Sequence, residues 1–450
     1  MSKVIKVSNI KAGNPGISGW DAILGRKPAP RVLETAISAD WLVIGGGFTG
    51  LAAARRVSQN RPNDRTVLVD AIRIGAGSAG RSSGFMIDLP HDISAESYTS
   101  AIERDKRQTE MNRTALAFAA QAADEYDFSQ EIFDPRGKIN VAADAKGDAH
   151  NQEYAEHLKA MGEKCTPLSA EEMRRITGTE YYTSGLHTPG AIMLQPAGYV
   201  RAFAEGLTQT EAVDIYENSP VISMERQGNS WLVKTPNGSI SVPKVILAVN
   251  GHIQSFGFYK RRLMHVFLYG SLTRALTDAE VKKLGGEPTW EAVPADPMGS
   301  TMRRLSGTGG HRILTRNRFV YRPNLEASEA SVRAVARDHD KAFKARFPML
   351  KNVEQEYRWG GRLCLSWYSD PAFGEVEQGV YSACCQNGLG ASLGTLSGML
   401  AADYATGVEN PYIQDYLDAR QPTLLPPEPF SWIGATAYLW WKERQAGKEK

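Results

Sequence analysis

The sequence predicts an α/β fold in which a doubly wound domain is interleaved with a second domain built on a mixed sheet. Three observations predict this fold. An apolar run, a glycine-rich turn, a helical stretch and another apolar run follow one another over residues 40–70. A buried apolar run returns at 244–251, and the order of strand, glycine turn and helix recurs at 380–405. Residues 256–355 differ, because their alternating strands are rich in aromatic residues and arginine.

The first glycine-rich turn has the G-x-G-x-x-G spacing at Gly45, Gly47 and Gly50. Gly45 permits the tight turn, Gly47 lets a pyrophosphate approach the backbone at a helix N-terminus, and Gly50 lets helix and strand pack closely. Asp70 ends the second apolar run, where a carboxylate can accept hydrogen bonds from both hydroxyls of an adenosine ribose. The context therefore predicts a nucleotide site, and the alternative is a glycine-rich turn that binds nothing.

The composition is that of an ordinary globular protein. Its 450 residues are 42% hydrophobic and 23% charged, which is enough for two sizeable cores. The formal net charge of +2, with no block of basic residues, gives little support to nucleic-acid binding. Four cysteines, Cys165, Cys364, Cys384 and Cys385, make no C-x-x-C pair, so we expect reduced thiols, no metal site and a cytoplasmic enzyme. No apolar run reaches the roughly 18 residues that a membrane-spanning helix needs.

A second segment rich in glycine and serine follows Asp70, at residues 75–84. Its side chains are small and bury little apolar surface, so its backbone amides are accessible. We expect these amides to reach a bulky ligand that lies beyond the pyrophosphate. The alternative is a flexible surface loop. Before the first turn, residues 1–35 are rich in Gly, Pro and Lys, and we expect them to form an extended arm over the main body.

Periodicity and turn signals predict the elements between these motifs. Residues 95–128 have the apolar spacing of amphipathic helices, and Ser169 with Glu172 has that of a capping box. An Asn-Gly pair at 237–238 predicts a hairpin, because it supplies the positive φ of a tight turn. The further predicted elements are strands at 138–142, 185–193, 264–269, 312–316 and 319–322, and helices at 196–210 and 391–405.

The turn at 45–50, Asp70 and the segment 75–84 together resemble the flavin-dependent amine and amino-acid oxidases of the D-amino-acid oxidase superfamily. The run Gly-Ala-Gly-Ser-Ala-Gly-Arg-Ser-Ser-Gly is most similar to the γ-glutamylputrescine oxidase branch, with Ser82 where that branch usually has Asn. The resemblance covers roughly residues 36–424. It implies FAD as the cofactor, with the segment 75–84 along the isoalloxazine ring. Relatives that attach FAD through a histidine carry it in this segment, where this chain has Arg81.

The resemblance implies a set of residues around FAD. The Asn-Gly pair at 250–251 matches a family signature at which the chain passes under the cofactor. The helix at 391–405 would point its N-terminus at flavin O2 and N1, where negative charge develops on reduction. Leu389 replaces a frequent histidine, so no proton shuttle is implied there. The expected cofactor-binding residues are Gly45, Gly47, Phe48, Thr49, Gly50, Asp70, Ala71, Gly77, Ser78, Arg81, Ser82, Ser83, Gly84, Val221, Asn250, Gly251, Asn387, Gly388, Leu389 and Gly390.

The resemblance also implies domain limits and a ceiling over the flavin. Alternation puts His265, Phe267 and Tyr269 on one face of a strand, which we expect to form a wall of the substrate cavity. The alternative, that this set belongs to the core, stays open. The expected parts are an N-terminal arm of 1–35, an FAD-binding domain of 36–91, 195–255 and 356–424, a substrate domain of 92–194 and 256–355, and a C-terminal tail of 425–450.

The Trp-Gly-Gly-Arg run at 359–362 resembles the family's Trp-x-Gly stretch, after which amino-acid-oxidising relatives keep a carboxylate-binding arginine. Arg362 is one residue off their register. Arg316, Arg318 and Arg322 crowd two neighbouring predicted strands, and a guanidinium can bind a carboxylate with two parallel hydrogen bonds. The alternative for Arg362 is an ordinary surface arginine or one that faces a phosphate. The expected catalytic residues are His265, Tyr269, Trp359 and Arg362.

Cys364 lies near the position at which monomeric sarcosine oxidases of the same superfamily attach FAD through a cysteine. The spacing between Cys364 and the Asp-Pro pair at 370–371 does not match that of the sarcosine oxidases perfectly. The γ-glutamylputrescine oxidase branch does not use such a link. One residue of register moves a strand side chain to the other face. We therefore expect noncovalent FAD.

The resemblance implies oxidation of the C–N bond of an amine or amino acid by hydride transfer to flavin N5, giving an imine that water hydrolyses. We expect a small-molecule amine as substrate and oxygen as the electron acceptor, with hydrogen peroxide as a product. The alternatives are a dehydrogenase that passes electrons to a quinone or partner protein, and a noncatalytic FAD-binding subunit. The aromatic tail at 425–450 has the composition of a membrane-interface segment, but we expect it to pack on the protein body or on a second subunit.

Overall fold

The computed structural model describes residues 3–8, 14–25, 27–90 and 102–450. These residues form four sheets, and the two largest have six and eight strands. From edge to edge, the six-stranded sheet consists of Asp214–Tyr216, Thr66–Val69, Trp41–Ile44, Lys244–Leu247, Val380–Cys384 and Ala372–Glu377. The eight-stranded sheet consists of Gln355–Leu365, Met264–Thr273, Arg312–Tyr321, Thr301–Leu305, Trp290–Pro294, Lys138–Ala142, Ser184–Thr188 and Thr166–Ser169.

The smaller sheets and the helices complete the fold. The five-stranded sheet consists of Val4–Lys6, Ser223–Gln227, Ser230–Lys234, Ser239–Val242 and Ala36–Ser38, and the three-stranded sheet of Phe85–Met86, Ile192–Leu194 and Phe133–Asp134. The α-helices are Gly19–Ala22, Phe48–Asn60, Ile102–Glu125, Ala145–Met161, Ala170–Thr177, Pro196–Gln209, Asp278–Leu284, Glu329–Arg346, Ser392–Thr406, Ile413–Asp418 and Phe430–Gln445. The predicted fold class, a doubly wound α/β domain interleaved with a mixed-sheet domain, is confirmed.

The six-stranded sheet is parallel except at one edge. Trp41–Ile44 pairs in parallel with Thr66–Val69 on one side and with Lys244–Leu247 on the other. These strands are buried almost throughout, which is why they are continuous apolar runs rather than alternating ones. Val380–Cys384 extends the parallel arrangement, and Ala372–Glu377 closes the edge in the antiparallel direction. The predicted return of the chain to this sheet at 244–251 is confirmed.

Two helices that pack on this sheet begin at the same edge. Phe48–Asn60 follows Trp41–Ile44, and Ser392–Thr406 follows Val380–Cys384. Because the carboxyl ends of parallel strands meet at one edge, both helix N-termini lie there. The helices approach each other closely, since a Cβ on Gly398 would lie 2.2 Å from a carbonyl oxygen of the first helix.

The eight-stranded sheet is mixed. Met264–Thr273 pairs antiparallel with Gln355–Leu365 on one side and with Arg312–Tyr321 on the other. Farther along, Trp290–Pro294 pairs in parallel with Lys138–Ala142. This arrangement matches the expectation of a mixed sheet and places the aromatic and arginine-rich strands side by side.

Three details differ from the sequence predictions. The two strands predicted at 312–322 are one strand, Arg312–Tyr321, whose register against Met264–Thr273 shifts at a bulge. The boundary predicted at 356 moves, because Gln355–Leu365 belongs to the eight-stranded sheet. The strand predicted at 185–193 is two strands, Ser184–Thr188 and Ile192–Leu194, which lie in different sheets. The other domain limits stay a prediction, and the one at 91–92 lies outside the described residues.

The N-terminal arm is only partly extended. Val4–Lys6 is the edge strand of the five-stranded sheet, where it pairs with Ser223–Gln227. Gly19–Ala22 is a short helix, and its Trp20 is completely buried. The prediction of a purely extended arm is wrong, because this helix brings a large side chain into the protein interior.

The local motifs form as predicted. Ser169 Oγ accepts a hydrogen bond from the Glu172 amide at 3.3 Å, and the Glu172 carboxylate accepts one from the Ser169 amide at 2.7 Å. Ser230–Lys234 and Ser239–Val242 are the two strands of the predicted Asn-Gly hairpin. The amphipathic stretch predicted at 95–128 is the helix Ile102–Glu125 in its described part, and its first residues lie outside the described part of the chain.

The tail forms the helix Phe430–Gln445, which packs on the eight-stranded sheet. Ala435 and Leu439 contact a cluster that contains Val266 and Phe319. The outward side of the helix exposes Phe430, Trp432, Ile433, Tyr438, Trp440 and Trp441. None of the described helices is long and apolar enough to cross a membrane.

Candidate active site

A cavity of about 360 Å³ lies between the two large sheets. Its wall is formed by the first glycine turn, the end of the strand Thr66–Val69, the segment 71–85, the residues before the helix Ser392–Thr406 and part of the eight-stranded sheet. Most of the predicted cofactor residues line it. Gly50, Gly251 and Asn387 lie outside its wall.

The three glycines of the first turn have different steric environments. Gly45 has a φ of +107°, a conformation that favours glycine, and a Cβ on Gly50 would lie 1.7 Å from the Gly45 carbonyl oxygen. A Cβ on Gly47 would meet nothing closer than the Ala79 Cβ at 3.5 Å. Gly47 therefore leaves open space at the N-terminus of Phe48–Asn60, where the backbone amides and the helix dipole favour an anion.

Asp70 lies at the end of Thr66–Val69 and lines the cavity. Its Oδ2 accepts a hydrogen bond from the Gly46 amide at 2.6 Å, and its Oδ1 accepts one from the Ile72 amide at 2.9 Å. Burial raises the pKa of this carboxyl, and the two amide hydrogen bonds oppose the rise. Each carboxylate oxygen keeps capacity for a further donor. Two neighbouring hydroxyl groups of a ribose would supply such donors.

Three side chains hold successive carbonyl groups of the loop at 81–83. Trp359 Nε1 donates to the carbonyl of residue 81 at 3.1 Å, Trp20 Nε1 to that of residue 82 at 2.8 Å, and Arg303 Nη1 to that of residue 83 at 2.6 Å. The amides of Ser82 and Ser83 donate to no group in the described part of the chain. The loop is therefore fixed through its carbonyls while these amides stay available to a ligand. Sequence reasoning missed Trp20 and Arg303, because nothing local links them to this loop.

Arg81 ties the loop to two other parts of the molecule. Its Nε donates to the Ala76 carbonyl at 2.9 Å, and its Nη1 donates to the carbonyls of Pro15 at 3.0 Å and Gly360 at 3.2 Å. Burial lowers the pKa of Arg81 to about 10, which leaves it charged at neutral pH. The cation thus joins the arm, the loop and the eight-stranded sheet.

The start of the helix Ser392–Thr406 supplies another part of the wall, with Gly388, Leu389 and Gly390. A helix N-terminus carries partial positive charge that stabilises an anion. Asn250 also lines the cavity, and its Oδ1 is buried without a hydrogen-bond partner among the described residues. A buried acceptor without a donor costs free energy, so we interpret this atom as one that faces a ligand.

The predicted cofactor residues outside the wall serve packing. A Cβ on Gly251 would lie 2.7 Å from His265 Nδ1, so this glycine makes room for the imidazole. Asn387 Oδ1 accepts a hydrogen bond from the Ser366 amide at 2.8 Å. This bond holds the residue that directly follows the strand Gln355–Leu365 against the segment before the helix Ser392–Thr406. Neither residue lines the cavity.

The predicted catalytic wall on Met264–Thr273 faces mostly away from the cavity. Phe267 and Tyr269 pack in a cluster with residues of the helix Glu329–Arg346. Tyr269 also borders the cavity, whereas His265 does not line it. Leu268 and Gly270, which alternation puts on the opposite face, do line it. The structure therefore fits the alternative that His265 and Phe267 belong to the core.

Arg362 borders the cavity but its guanidinium is already engaged. It donates to His252 Nε2 and to the carbonyl of Leu325. Burial and the neighbouring Arg362 lower the pKa of His252 to about 3, and burial, Arg362 and His252 lower that of His265 to about 3. Both imidazoles are neutral at physiological pH. Arg362 is one residue off the family's register, and side chains alternate along a strand. Arg362 therefore lies on the face of the sheet that carries Phe267, and Trp359 lies on the opposite face.

Cys364 lies on the same strand face as its cross-strand neighbour His265. It is buried in a cluster with Cys384 and Cys385 and does not line the cavity. A hydrogen bond with Cys385 and burial hold the pKa of the Cys364 thiol well above its usual range. The thiol therefore stays protonated and is a poor nucleophile.

Known proteins share both this fold and this sequence pattern. The model of the DAO family of FAD-dependent oxidoreductases matches residues 40–404, a span that contains the glycine turn, Asp70 and most of the cavity wall. The chain belongs to this family. It is an FAD-dependent oxidoreductase, as its motifs predict.

Relatives and solved structures agree with this assignment. The probable oxidoreductase OrdL of Rhizobium meliloti (strain 1021) is 25% identical over 405 residues, which are 88% of this chain and 89% of the relative. The gamma-glutamylputrescine oxidoreductase of Escherichia coli (strain K12) is 23% identical over 398 residues, which are 87% of this chain and 89% of the relative. Glycine oxidase from Geobacillus kaustophilus superposes with a TM-score of 0.66 at 17% identity, covering 87% of this chain and all of that one. L-proline dehydrogenase from P. horikoshii superposes with a TM-score of 0.65 at 18% identity, covering 86% of this chain and 97% of that one. The two solved structures show the fold alone.

The residues of the cavity fit FAD. Gly47 leaves the space that a pyrophosphate needs, and Asp70 offers both carboxylate oxygens to the ribose. Asn250 Oδ1 and the amides of Ser82 and Ser83, which have no hydrogen-bond partner within the described ranges, are polar groups that a flavin ring can satisfy. An aromatic and apolar wall completes the site.

Proposed function

We propose that this protein oxidises the C–N bond of a small amine or amino acid, with noncovalent FAD as the hydride acceptor and oxygen as the final electron acceptor. The cavity carries the proposal, because it joins a nucleotide cradle to a space walled by Trp359, Leu268 and Phe319 of the eight-stranded sheet. The names of a relative, gamma-glutamylputrescine oxidoreductase, and of a structural neighbour, glycine oxidase, support a nitrogen-bearing substrate.

The chain's own residues bind and orient the reactants and exclude water. FAD, held by the glycine turn at 45–50 and by Asp70, would supply a two-electron acceptor for the hydride of the substrate α-carbon, and reduction of oxygen by those two electrons with two protons would give hydrogen peroxide. The substrate nitrogen loses a proton as the C=N bond forms, and water then converts the imine to a carbonyl compound and a free amine or ammonia. The apolar wall favours the neutral amine over the ammonium form, because burial disfavours charge.

The lining residues offer little acid–base chemistry near the eight-stranded sheet. Asp70 is the one acidic residue among the described residues that line the cavity, and it lies at the nucleotide end. His252 lines the cavity too, but it is neutral and accepts a hydrogen bond from Arg362. The protein therefore acts by positioning and desolvating the amine rather than by abstracting a strongly held proton.

The first experiment tests the reaction. The purified protein is expected to be yellow and to lose its flavin absorbance when primary, secondary or γ-glutamylated amines are added without oxygen. Admission of air should then restore the absorbance rapidly and produce hydrogen peroxide. If none of these amines or the common amino acids bleaches the flavin, the proposal fails.

Noncovalent attachment is tested by acid precipitation. Since Cys364 is protonated and lies outside the cavity wall, FAD should stay in the supernatant and leave a colourless pellet. Cys364→Ser should behave in the same way. A yellow pellet from the parent protein that becomes colourless in Cys364→Ser would show that this cysteine is the anchor.

A flavoprotein dehydrogenase is the second candidate. The helix Phe430–Gln445 exposes a row of aromatic side chains, with Lys442 and Arg444 stacked on its tryptophans, which is the composition of a surface that contacts lipid. For a dehydrogenase, reoxidation of the reduced flavin by a soluble quinone would be much faster than by air. The protein would also sediment with lipid vesicles, and Trp440→Asp would weaken that binding.

A further inference from the structure

Arg316 is a partly buried cation of the cavity wall, and it has no anionic partner among the described residues. It lies in the strand Arg312–Tyr321, and its guanidinium makes no hydrogen bond or ion pair with the described residues. Its Nε is completely buried without an acceptor, and the ring of Phe319 lies 5.7 Å from its Cζ. Removing a charge from water without pairing it is costly, so a retained arginine of this kind indicates an anionic ligand.

Neighbouring arginines of the same sheet each have at least one hydrogen-bond or ion-pair partner. Arg303 donates to the carbonyls of residues 83 and 194 at 2.6 and 2.9 Å. Arg312 pairs with Glu356, and Arg318 pairs with Asp338 and with Glu443 of the tail helix. Arg316 differs from these neighbours because it lines the cavity and no described residue pairs with its guanidinium.

A second unsatisfied group lies beside Arg316. Thr301 is its cross-strand partner and also lines the cavity, and the Thr301 hydroxyl is buried without a hydrogen-bond partner among the described residues. On the other side Arg316 pairs with Gly270, where a Cβ would lie 2.7 Å from the Trp359 ring. Since cross-strand partners share a face, Arg316, Thr301 and Trp359 lie on the same side of the sheet.

This pair of groups lies away from the nucleotide cradle. Arg303 holds the loop at residue 83 and pairs across the sheet with Leu314, and Arg316 comes two residues after Leu314, about 7 Å farther along the strand. The diphosphate cradle at Gly47 belongs to the six-stranded sheet. Arg316 therefore faces the part of the cavity that the cofactor cradle leaves to the substrate.

We infer that Arg316 and Thr301 bind a carboxylate of the substrate, so that the substrate is an amino acid or another amine that carries an acidic group. This inference rests on the proposed function, because it treats the cavity as the site of an amine. The planar guanidinium can donate two parallel hydrogen bonds to a carboxylate, and the Thr301 hydroxyl can donate one more. Burial lowers the pKa of Arg316 to about 10, so the side chain is charged at neutral pH. Arg362 cannot take this role while its guanidinium binds His252 and Leu325.

Calorimetric titration of the FAD-loaded protein with propionate and propionamide, and with benzoate and benzamide, tests the inference. Each pair has nearly the same shape and differs in charge. Arg316→Met should weaken binding of the carboxylates by about 100-fold and that of the amides by less than about threefold, because the neutral amides make no ion pair with the guanidinium. Arg316→Lys should show an intermediate loss of carboxylate affinity, since lysine keeps the positive charge but cannot donate two parallel hydrogen bonds as the planar guanidinium does.

Two further variants complete the test. Thr301→Val should weaken carboxylate binding by about fivefold, because it removes one hydrogen bond. Arg318→Met is the matched control, since this arginine of the same strand is paired with acidic side chains of the protein, and it should leave carboxylate affinity unchanged. If Arg316→Met fails to fold, Arg316→Lys and Thr301→Val decide.

The inference is overturned if propionate and benzoate do not bind the parent protein, or if Arg316→Met weakens them no more than their amides. It is also overturned if Arg316→Met loses FAD, because the arginine would then hold the cofactor. These outcomes are independent of the proposed reaction, since the titration needs no turnover. A protein that binds carboxylates through Arg316 but is bleached by no amine would contradict the proposed function and leave the carboxylate site in place.

Discussion

Gly47 and Gly50 belong to the same turn, yet their substitution should have opposite consequences. A Cβ on Gly47 would enter open space, and its φ of −88° suits any residue, so Gly47→Ala should change the free energy of unfolding of the FAD-free protein by less than about 0.5 kcal/mol. The same methyl group would occupy space that the phosphates need and should cost about 1–3 kcal/mol of FAD binding.

Gly50→Ala is the matched comparison. Its Cβ would lie 1.7 Å from the Gly45 carbonyl oxygen, so we expect the FAD-free protein itself to lose about 1–3 kcal/mol of stability. Denaturant unfolding of both FAD-free variants, together with fluorescence titration with FAD, measures the two effects. Equal losses of stability in the two variants would contradict the steric difference.

Asp70 should make FAD affinity depend on pH. Burial raises the pKa of this carboxyl in the FAD-free protein, and ribose hydroxyls that donate to it would favour the ionised form, so its pKa should fall on binding. FAD affinity should therefore be greatest at neutral pH and decrease, by up to about tenfold per pH unit, as pH falls below the raised pKa.

The FAD-free protein should show the opposite trend for this group. A carboxyl with a raised pKa in the folded state stabilises the fold below its unfolded value of about 3.9 and loses that contribution as pH rises. Asp70→Asn should bind FAD more weakly and remove the pH dependence, which titrations at several pH values would measure. A parent protein whose affinity increases as pH falls would contradict this account.

The loop at 81–83 acts as an element whose shape depends on distant side chains. Trp20→Phe keeps most of the apolar volume but leaves the carbonyl of residue 82 without its donor, at a cost of about 1–3 kcal/mol. We expect FAD affinity to fall, because the free amides of the loop lose their fixed position. Trp231→Phe is the control, since Trp231 is equally buried and donates to the carbonyl of residue 378, in the turn between two strands of the six-stranded sheet. Titration should show weakened FAD binding in the first variant, whereas equal affinities in the two would refute a role for the loop.

The tail helix Phe430–Gln445 packs on the eight-stranded sheet. Leu439 contacts the sheet cluster, so Leu439→Asp should lower the free energy of unfolding by about 2 kcal/mol. Trp440 is exposed, so Trp440→Asp should change it by less than about 0.5 kcal/mol. Denaturant unfolding of the two variants measures both values. Equal destabilisation would mean that the exposed aromatic side is covered in solution, as a second subunit would do.

Much of the molecule could be predicted because its signals are local. The glycine spacing at 45–50 reflects φ angles and close contacts within a few residues, and Asp70 follows directly from the strand that it ends. The continuous apolar runs of the parallel strands and the hairpin at 237–238 are equally short-range. Such features depend on backbone sterics and on burial of both strand faces, which a short stretch of sequence expresses by itself.

The substrate end of the site depends on how distant segments pack. Alternation shows that His265 and Tyr269 share a strand face, but the position of the helix Glu329–Arg346 determines which face becomes core. Nothing local in the sequence distinguishes Arg362 from Arg316. They differ because Arg362 binds His252 and Leu325, whereas Arg316 has no partner among the described residues. Trp20 binds the loop at 81–83 from far away in the chain. The sequence by itself therefore specifies the glycine turn and Asp70, which form the proposed cofactor cradle. Only the tertiary structure decides which residues face the proposed substrate space, because remote segments of the chain determine whether each polar side chain there finds a partner.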